Sequence, residues 1–110
     1  MPSIFLSPST QEGNLYVTGN SEEYWMNRLA DAMEPYLTAS GIRYTRNSPT
    51  GSAAQSIRQS NSGTYDLHLA LHSNAAPPSI YGQVQGSDVY YYPSSVQGKK
   101  AADLIAQALQ

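Results

Sequence analysis

The sequence predicts an α/β domain, a mixed and mainly parallel sheet flanked by helices. Three observations carry this. Short apolar runs recur at Ile4-Phe5-Leu6, Ile42 to Thr45, Leu67 to Leu71 and Val89 to Tyr92. Segments with a helical spacing of apolar residues stand between or after them. Clusters of Pro, Gly, Asn and Ser separate the two kinds of segment. Alternation of strands and helices is the signature of helices packed on a sheet.

The elements follow in order. Ser3-Ile4-Phe5-Leu6-Ser7 reads as a strand stopped by Pro8, and residues 8–21 read as a loop of turn formers. Ser21 before Glu22 and Glu23 is an N-cap followed by acidic first-turn residues. The helix after it carries Trp25, Leu29, Ala32, Met33, Tyr36 and Leu37 on one stripe, expected to be buried. Pro35 must kink this helix or mark its last turn, and Gly41 caps it. Residues 42–45 form the second strand, ended by Asn47-Ser48-Pro49. Residues 52–61 form a short helix with Ala53, Ala54 and Ile57 on its apolar side. In Asp66 to His72, the leucines at 67, 69 and 71 point one way and His68, Ala70 and His72 the other. A Pro- and Gly-rich loop spans residues 75–86, and Ser87 to Tyr92 reads as a fourth strand ended by Pro93. From Ser95 a last helix is expected to bury Ala101, Leu104, Ile105, Ala108 and Leu109. The order is β-α-β-α-β-β-α, with no repeat and no linker, so residues 1–110 are read as one domain.

Composition excludes several classes. With 110 residues the chain suffices for one domain, which buries roughly two-thirds of its unfolded surface. A net charge of −2 with six basic residues argues against a nucleic-acid partner, which requires a basic footprint. Cysteine is absent, so a metal would be held by His, Asp or Glu. There is no apolar run of membrane-spanning length and no signal-peptide pattern. Nine tyrosines and many Ser, Asn and Gln suit a hydrogen-bonding surface of the kind that takes carbohydrate or glycan-peptide ligands.

The candidate chemistry centres on Asp66 to Ala75. His72 ends an apolar strand and is followed by Ser73-Asn74, and α/β sheets place their ligands at such strand ends. It is also a place for a metal-binding imidazole. His68 ends no strand. It lies about 13 Å from His72 along an extended strand, so the two cannot share one ion. Glu22 and Glu23 are as well explained by the favourable charge of acids in a helix's first turn. Arg46, Arg58 and Asn61 would ordinarily face solvent. The chain has no GxGxxG, no phosphate-binding lysine loop and no GxSxG elbow.

Taken together, the segments resemble the zinc-dependent N-acetylmuramoyl-L-alanine amidases of the type 3 family, the peptidoglycan amidases of autolysins and phage endolysins. The resemblance runs over the whole chain. It consists of the opening strand with Ser7-Pro8-Ser9-Thr10, then Glu23 four residues before Asn27, and then Gly41-x-x-x-Thr45-Arg46. Arg58-Gln59-Ser60-Asn61, His72-Ser73-Asn74-Ala75 and Gly86-Ser87-Asp88-Val89-Tyr90-Tyr91 complete it. The order of these pieces along the chain carries the resemblance.

The resemblance implies an amidase type 3 architecture, with zinc as cofactor and the muramoyl–L-alanine amide of peptidoglycan as substrate. It implies Glu23 and His72 as metal ligands and Asn74 as a substrate-binding residue lining the site. The family's first-loop histidine is missing, and Glu12 is the nearest residue able to replace it. The family's catalytic glutamate is expected beyond Gln110, since the chain matches about the first two-thirds of a typical member. The expectation is therefore a shortened amidase domain with little hydrolysis of its own. The alternative is a murein-binding module, or a self-associating piece of such a domain. The resemblance places the protein at the cell wall, or in a phage product released at lysis.

Overall fold

In the computed structural model, residues 2–10, 15–16, 19–48, 51–73 and 87–110 are described. The chain divides into two compact units, Met1–Ala75 and Ala76–Gln110.

The first unit is a three-stranded parallel sheet with helices. Strand β1 (Ser3–Pro8) is central, β2 (Arg43–Arg46) lies on one side and β3 (Leu67–Leu71) on the other. Helix α1 (Glu22–Ala39) connects β1 to β2, and α2 (Ala53–Asn61) connects β2 to β3. Ile4 pairs with Tyr44 on one side and Leu67 on the other, and Leu6 with Arg46 and Leu69. A central parallel strand is covered on both faces, which explains the uninterrupted apolar run of β1. Phe5 and Leu6 have no exposed surface at all.

Alternation along β1 divides its contacts between two faces. Ile4 and Leu6 cluster with Ala30 of α1, and Met33, Leu37, Ile42, Tyr44, Leu67, Leu69 and Leu71 pack around them. On the opposite face Phe5 meets the rings of Tyr65 and His68. Ser7 on that face accepts from Asn47 Nδ2, which also donates to Ser56 of α2 at 2.9 Å and to the Pro8 carbonyl at 3.1 Å. These buried polar groups are mutually satisfied, as burial requires.

Local signals explain the helix ends. Ser21 accepts from the Tyr24 N–H to cap α1. Gly41, at φ 73°, takes the left-handed conformation that closes it. Its N–H donates to Thr38, and that of Ile42 to Leu37, which is the Schellman pattern. In α2, Ser52 and Gln55 form a reciprocal capping box. The Arg46 guanidinium ties β2 to α1 through Asp31, through Glu34 at 2.9 Å and through Asn27 Oδ1 at 2.8 Å. Asn27 in turn donates to the Glu23 carbonyl.

Several expectations are corrected. β1 runs through Pro8, whose missing N–H is harmless at a strand end, and β2 lies one residue later than expected. Helix α1 ends at Ala39, one turn after Pro35, which agrees with Pro35 lying near its last turn. Of its expected buried stripe, Met33 and Leu37 are half-buried, while Trp25, Leu29, Ala32 and Tyr36 are exposed. In α2 the buried residue is Ser56, and Ile57 is 56 % exposed. Residues 87–92 adopt neither helix nor strand.

In the second unit, α3 (Val96–Ala108) is capped by Ser95, which accepts from the Gly98 N–H at 2.9 Å. Lys99 and Asp103 pair one turn apart at 2.8 Å. Ala102 is buried, whereas Leu104, Ala108 and Leu109 are exposed rather than buried as expected. No helix among the described residues is long and apolar enough to cross a membrane.

Candidate functional site

All three strands of a parallel sheet end on the same side, so the residues just after them form one rim. Here that rim consists of Ser9, Asn47, His72 and Ser73. The chain leaves β1 for β2, then crosses over to β3 on the far side. The strand order therefore reverses between β1 and β3. Ligands of open α/β sheets bind in the crevice at such a reversal. The Ser9 N–H donates to the Leu71 carbonyl at 2.9 Å, which holds the two strand ends together just before His72.

Helix α1 begins at this rim. Its entry is set by a small reversal in which Gly19 (φ 100°) and Asn20 (φ 63°) turn the chain back. The Tyr16 N–H then reaches the Asn20 carbonyl at 2.9 Å, and Leu15 bridges Ser21. This brings Tyr16 to β3, where its hydroxyl shares a hydrogen bond with Ser73. It also delivers the first residue of α1, Glu22, to His72. His72 Nδ1 and Glu22 Oε2 are 3.0 Å apart, from positions 50 residues distant in the chain. The Glu22 side chain is 2 % exposed and that of His72 is 49 % exposed. A buried carboxylate is thus held against an imidazole that remains open on its other side.

The carboxylate meeting His72 is that of Glu22, one position before the Glu23 that the resemblance implied. Consecutive helical residues point about a quarter-turn apart, so the two acids leave α1 in different directions. The other rim candidates divide as follows. His68 packs at a tilt against Phe5, with ring centroids 5.2 Å apart, and burial holds its imidazole below its ordinary pKa. Arg46 serves the α1–β2 clamp. Burial opposes its charge, but Asp31 and Glu34 outweigh that effect and hold the guanidinium above its ordinary pKa. Glu12 and Asn74 lie outside the described residues. Among the described residues no group of three His, Cys, Asp or Glu is placed to hold a metal ion. Tyr16 is a rim residue that sequence reasoning missed. Nothing in its neighbourhood distinguished it from the other tyrosines, and only the turn at Gly19-Asn20 brings it to Ser73.

No protein-family model, curated protein or solved structure matches the chain.

Proposed function

We propose that the chain is a zinc-binding peptidoglycan amidase-type domain acting at the N-acetylmuramoyl–L-alanine bond, with Glu22 and His72 as its metal-holding pair. The single observation that supports this reading is the 3.0 Å approach of the buried Glu22 carboxylate to His72 at the β1–β3 strand ends. Donor atoms sharing one tetrahedral zinc, with ligand bonds of about 2 Å, lie about 3–4 Å apart. The donor types, a carboxylate oxygen and an imidazole nitrogen, are those zinc prefers in a site without thiolates. When bound, zinc lowers the pKa of a coordinated water and polarises an amide carbonyl. Glu22, fixed at the capped start of α1, supplies a carboxylate oxygen and negative charge to the pair. Tyr16 and Ser73 place hydroxyls beside His72 that can hydrogen-bond polar groups of a glycopeptide.

A second reading, a murein-binding module without hydrolysis, is favoured by the donor count. The described residues bring together two donor side chains, whereas a catalytic zinc site uses three. Titration calorimetry of the purified chain with zinc, beside an assay for new amino groups released from purified murein, tests both readings. Zinc binding with amine release supports the amidase, and murein pull-down without release supports the module. Loss of neither zinc affinity nor murein binding in Glu22→Gln would sink the assignment of the pair.

A further inference from the structure

The apolar residues of α1 serve two surfaces. Ala30, Met33 and Leu37 pack on the sheet with Ile4 and Leu6. Trp25, Leu29, Ala32 and Tyr36 lie along the adjoining flank and stay exposed, Tyr36 at 76 %. Their spacing of four, three and four residues is that of a heptad seam, by which one helix packs along another. The groove of about 400 Å³ on this flank is the matching socket. Its lining includes Leu29, Ala32, Met33 and Tyr36, the i, i+3, i+4 and i+7 positions that surround a knob from a facing helix. Ala32, the smallest of the four, leaves the space open. Charge is kept off the seam, because Asp31 and Glu34 both turn to Arg46. The last turn of α1 has no basic residue to offset the partial negative charge of its carbonyl end. Towards the other end, Arg28 borders Trp25, 5.9 Å from its ring centre, and among the described residues no carboxylate pairs with it.

We propose that α1 docks on α1 of a second copy of the chain, antiparallel about a two-fold axis, with Leu29 of each copy seated in the other's groove above Ala32. Trp25 of each copy then meets Tyr36 of the other. A second copy is the occupant because one helix carries both knob and socket, and a two-fold contact fills both sockets at once. Large residues meet small ones at the centre, and aromatic rings meet at the two ends. The antiparallel order follows from charge. A helical side chain leans toward its own N-terminus. Arg28 therefore reaches along the second copy toward the C-terminal turn that has no cation of its own. A parallel pair would instead set the two Arg28 guanidinium groups at the same level.

The experiment follows the mass of the full chain by light scattering over a wide range of concentrations. Trp25 is the only tryptophan, so its emission reports directly on the seam. A mass that rises to twice the monomer's, with emission shifting to the blue as Trp25 leaves water, is expected. Ala32→Arg retains helix propensity and puts a charge in the socket, so it should stay monomeric while circular dichroism confirms its fold. Arg28→Glu should raise the dimer dissociation constant by about fivefold. The chain has no cysteine, so introduced thiols read the orientation. Under mild oxidation, Trp25→Cys mixed with Tyr36→Cys should cross-link faster than either variant alone. A chain monomeric at every concentration, a dimer that survives Ala32→Arg, or an unchanged dissociation constant in Arg28→Glu would overturn the proposal. So would Trp25→Cys joining to itself faster than to Tyr36→Cys. Every readout is of assembly, so the result stands apart from the zinc and murein assays.

Discussion

At the scale of single residues, Glu22 and Glu23 are adjacent, identical in chemistry and both in the first turn of α1, yet only Glu22 is buried against His72. This predicts opposite behaviour on substitution. Glu22→Gln removes the carboxylate charge from the pair and should weaken zinc binding by at least about tenfold, whereas Glu23→Gln should leave it within about twofold. Calorimetric titration of the two variants side by side checks this, and equal losses would mean that the acids act only through helix charge. His68 yields a second prediction at this scale. Its pKa is lowered by burial, with its ring packed against that of Phe5. The unfolded chain therefore binds more protons than the folded one between the depressed value and the ordinary 6.5. Stability should consequently fall as pH drops through that window and level off below the folded pKa. His68→Phe keeps the ring contact and removes the titration, so urea midpoints measured at neutral and mildly acid pH should differ less in the variant than in the parent. The adjacent pair of glutamates was legible as a helix start. Which of them faces β3 was not, because a one-residue difference in helix phase depends on how the turn at Gly19-Asn20 delivers the chain.

At the scale of elements, what was legible followed from local chemistry. Ser21 and Gly41 act on their own neighbours, and each stands where the sequence placed it. The leucine alternation of β3 survives in its half-buried and exposed residues for the same reason. Burial of helix faces was not legible, since an apolar stripe is covered only if another element arrives to cover it. Leu29, Ala32, Met33, Tyr36, Leu37 and Ser40 instead line an open groove of about 400 Å³ on α1. Residues 87–92 illustrate the same limit, because Val and Tyr favour a strand only where an edge is there to pair with. The long-range clamp at Arg46 lends itself to a test. Its partners are partly exposed, with Asp31 at 67 % and Glu34 at 33 %, so solvent screens each ion pair. Arg46→Ala should therefore cost only about 1–2 kcal/mol in urea unfolding, with Arg46→Lys intermediate, since lysine cannot reach both acids and Asn27 with one fork. A cost near zero would mean the clamp is a surface ornament of the α1–β2 packing.

At the scale of the whole molecule, the two units differ in how their backbone hydrogen bonds are protected. The central strand β1 is paired on both sides and buried from Ile4 through Pro8. Its amides can exchange with solvent only when the sheet opens, which links their protection to the stability of the Met1–Ala75 unit. Helix α3 has the opposite character. It spans 13 residues, among which Ala102 is buried. An isolated helix of that length is marginal in water, because nucleation is costly and burial supplies most helix stability in proteins. Hydrogen exchange followed by mass spectrometry should therefore give slow amides at Ile4–Ser7 and fast exchange throughout Val96–Ala108. Leu6→Ala, which opens a cavity beneath Ala30, should cost about 2–5 kcal/mol and speed exchange across all three strands together. It should leave the already fast amides of α3 unchanged. Uniform acceleration of α3 in that variant would mean that the helix draws its stability from the sheet, and the two units would then unfold as one.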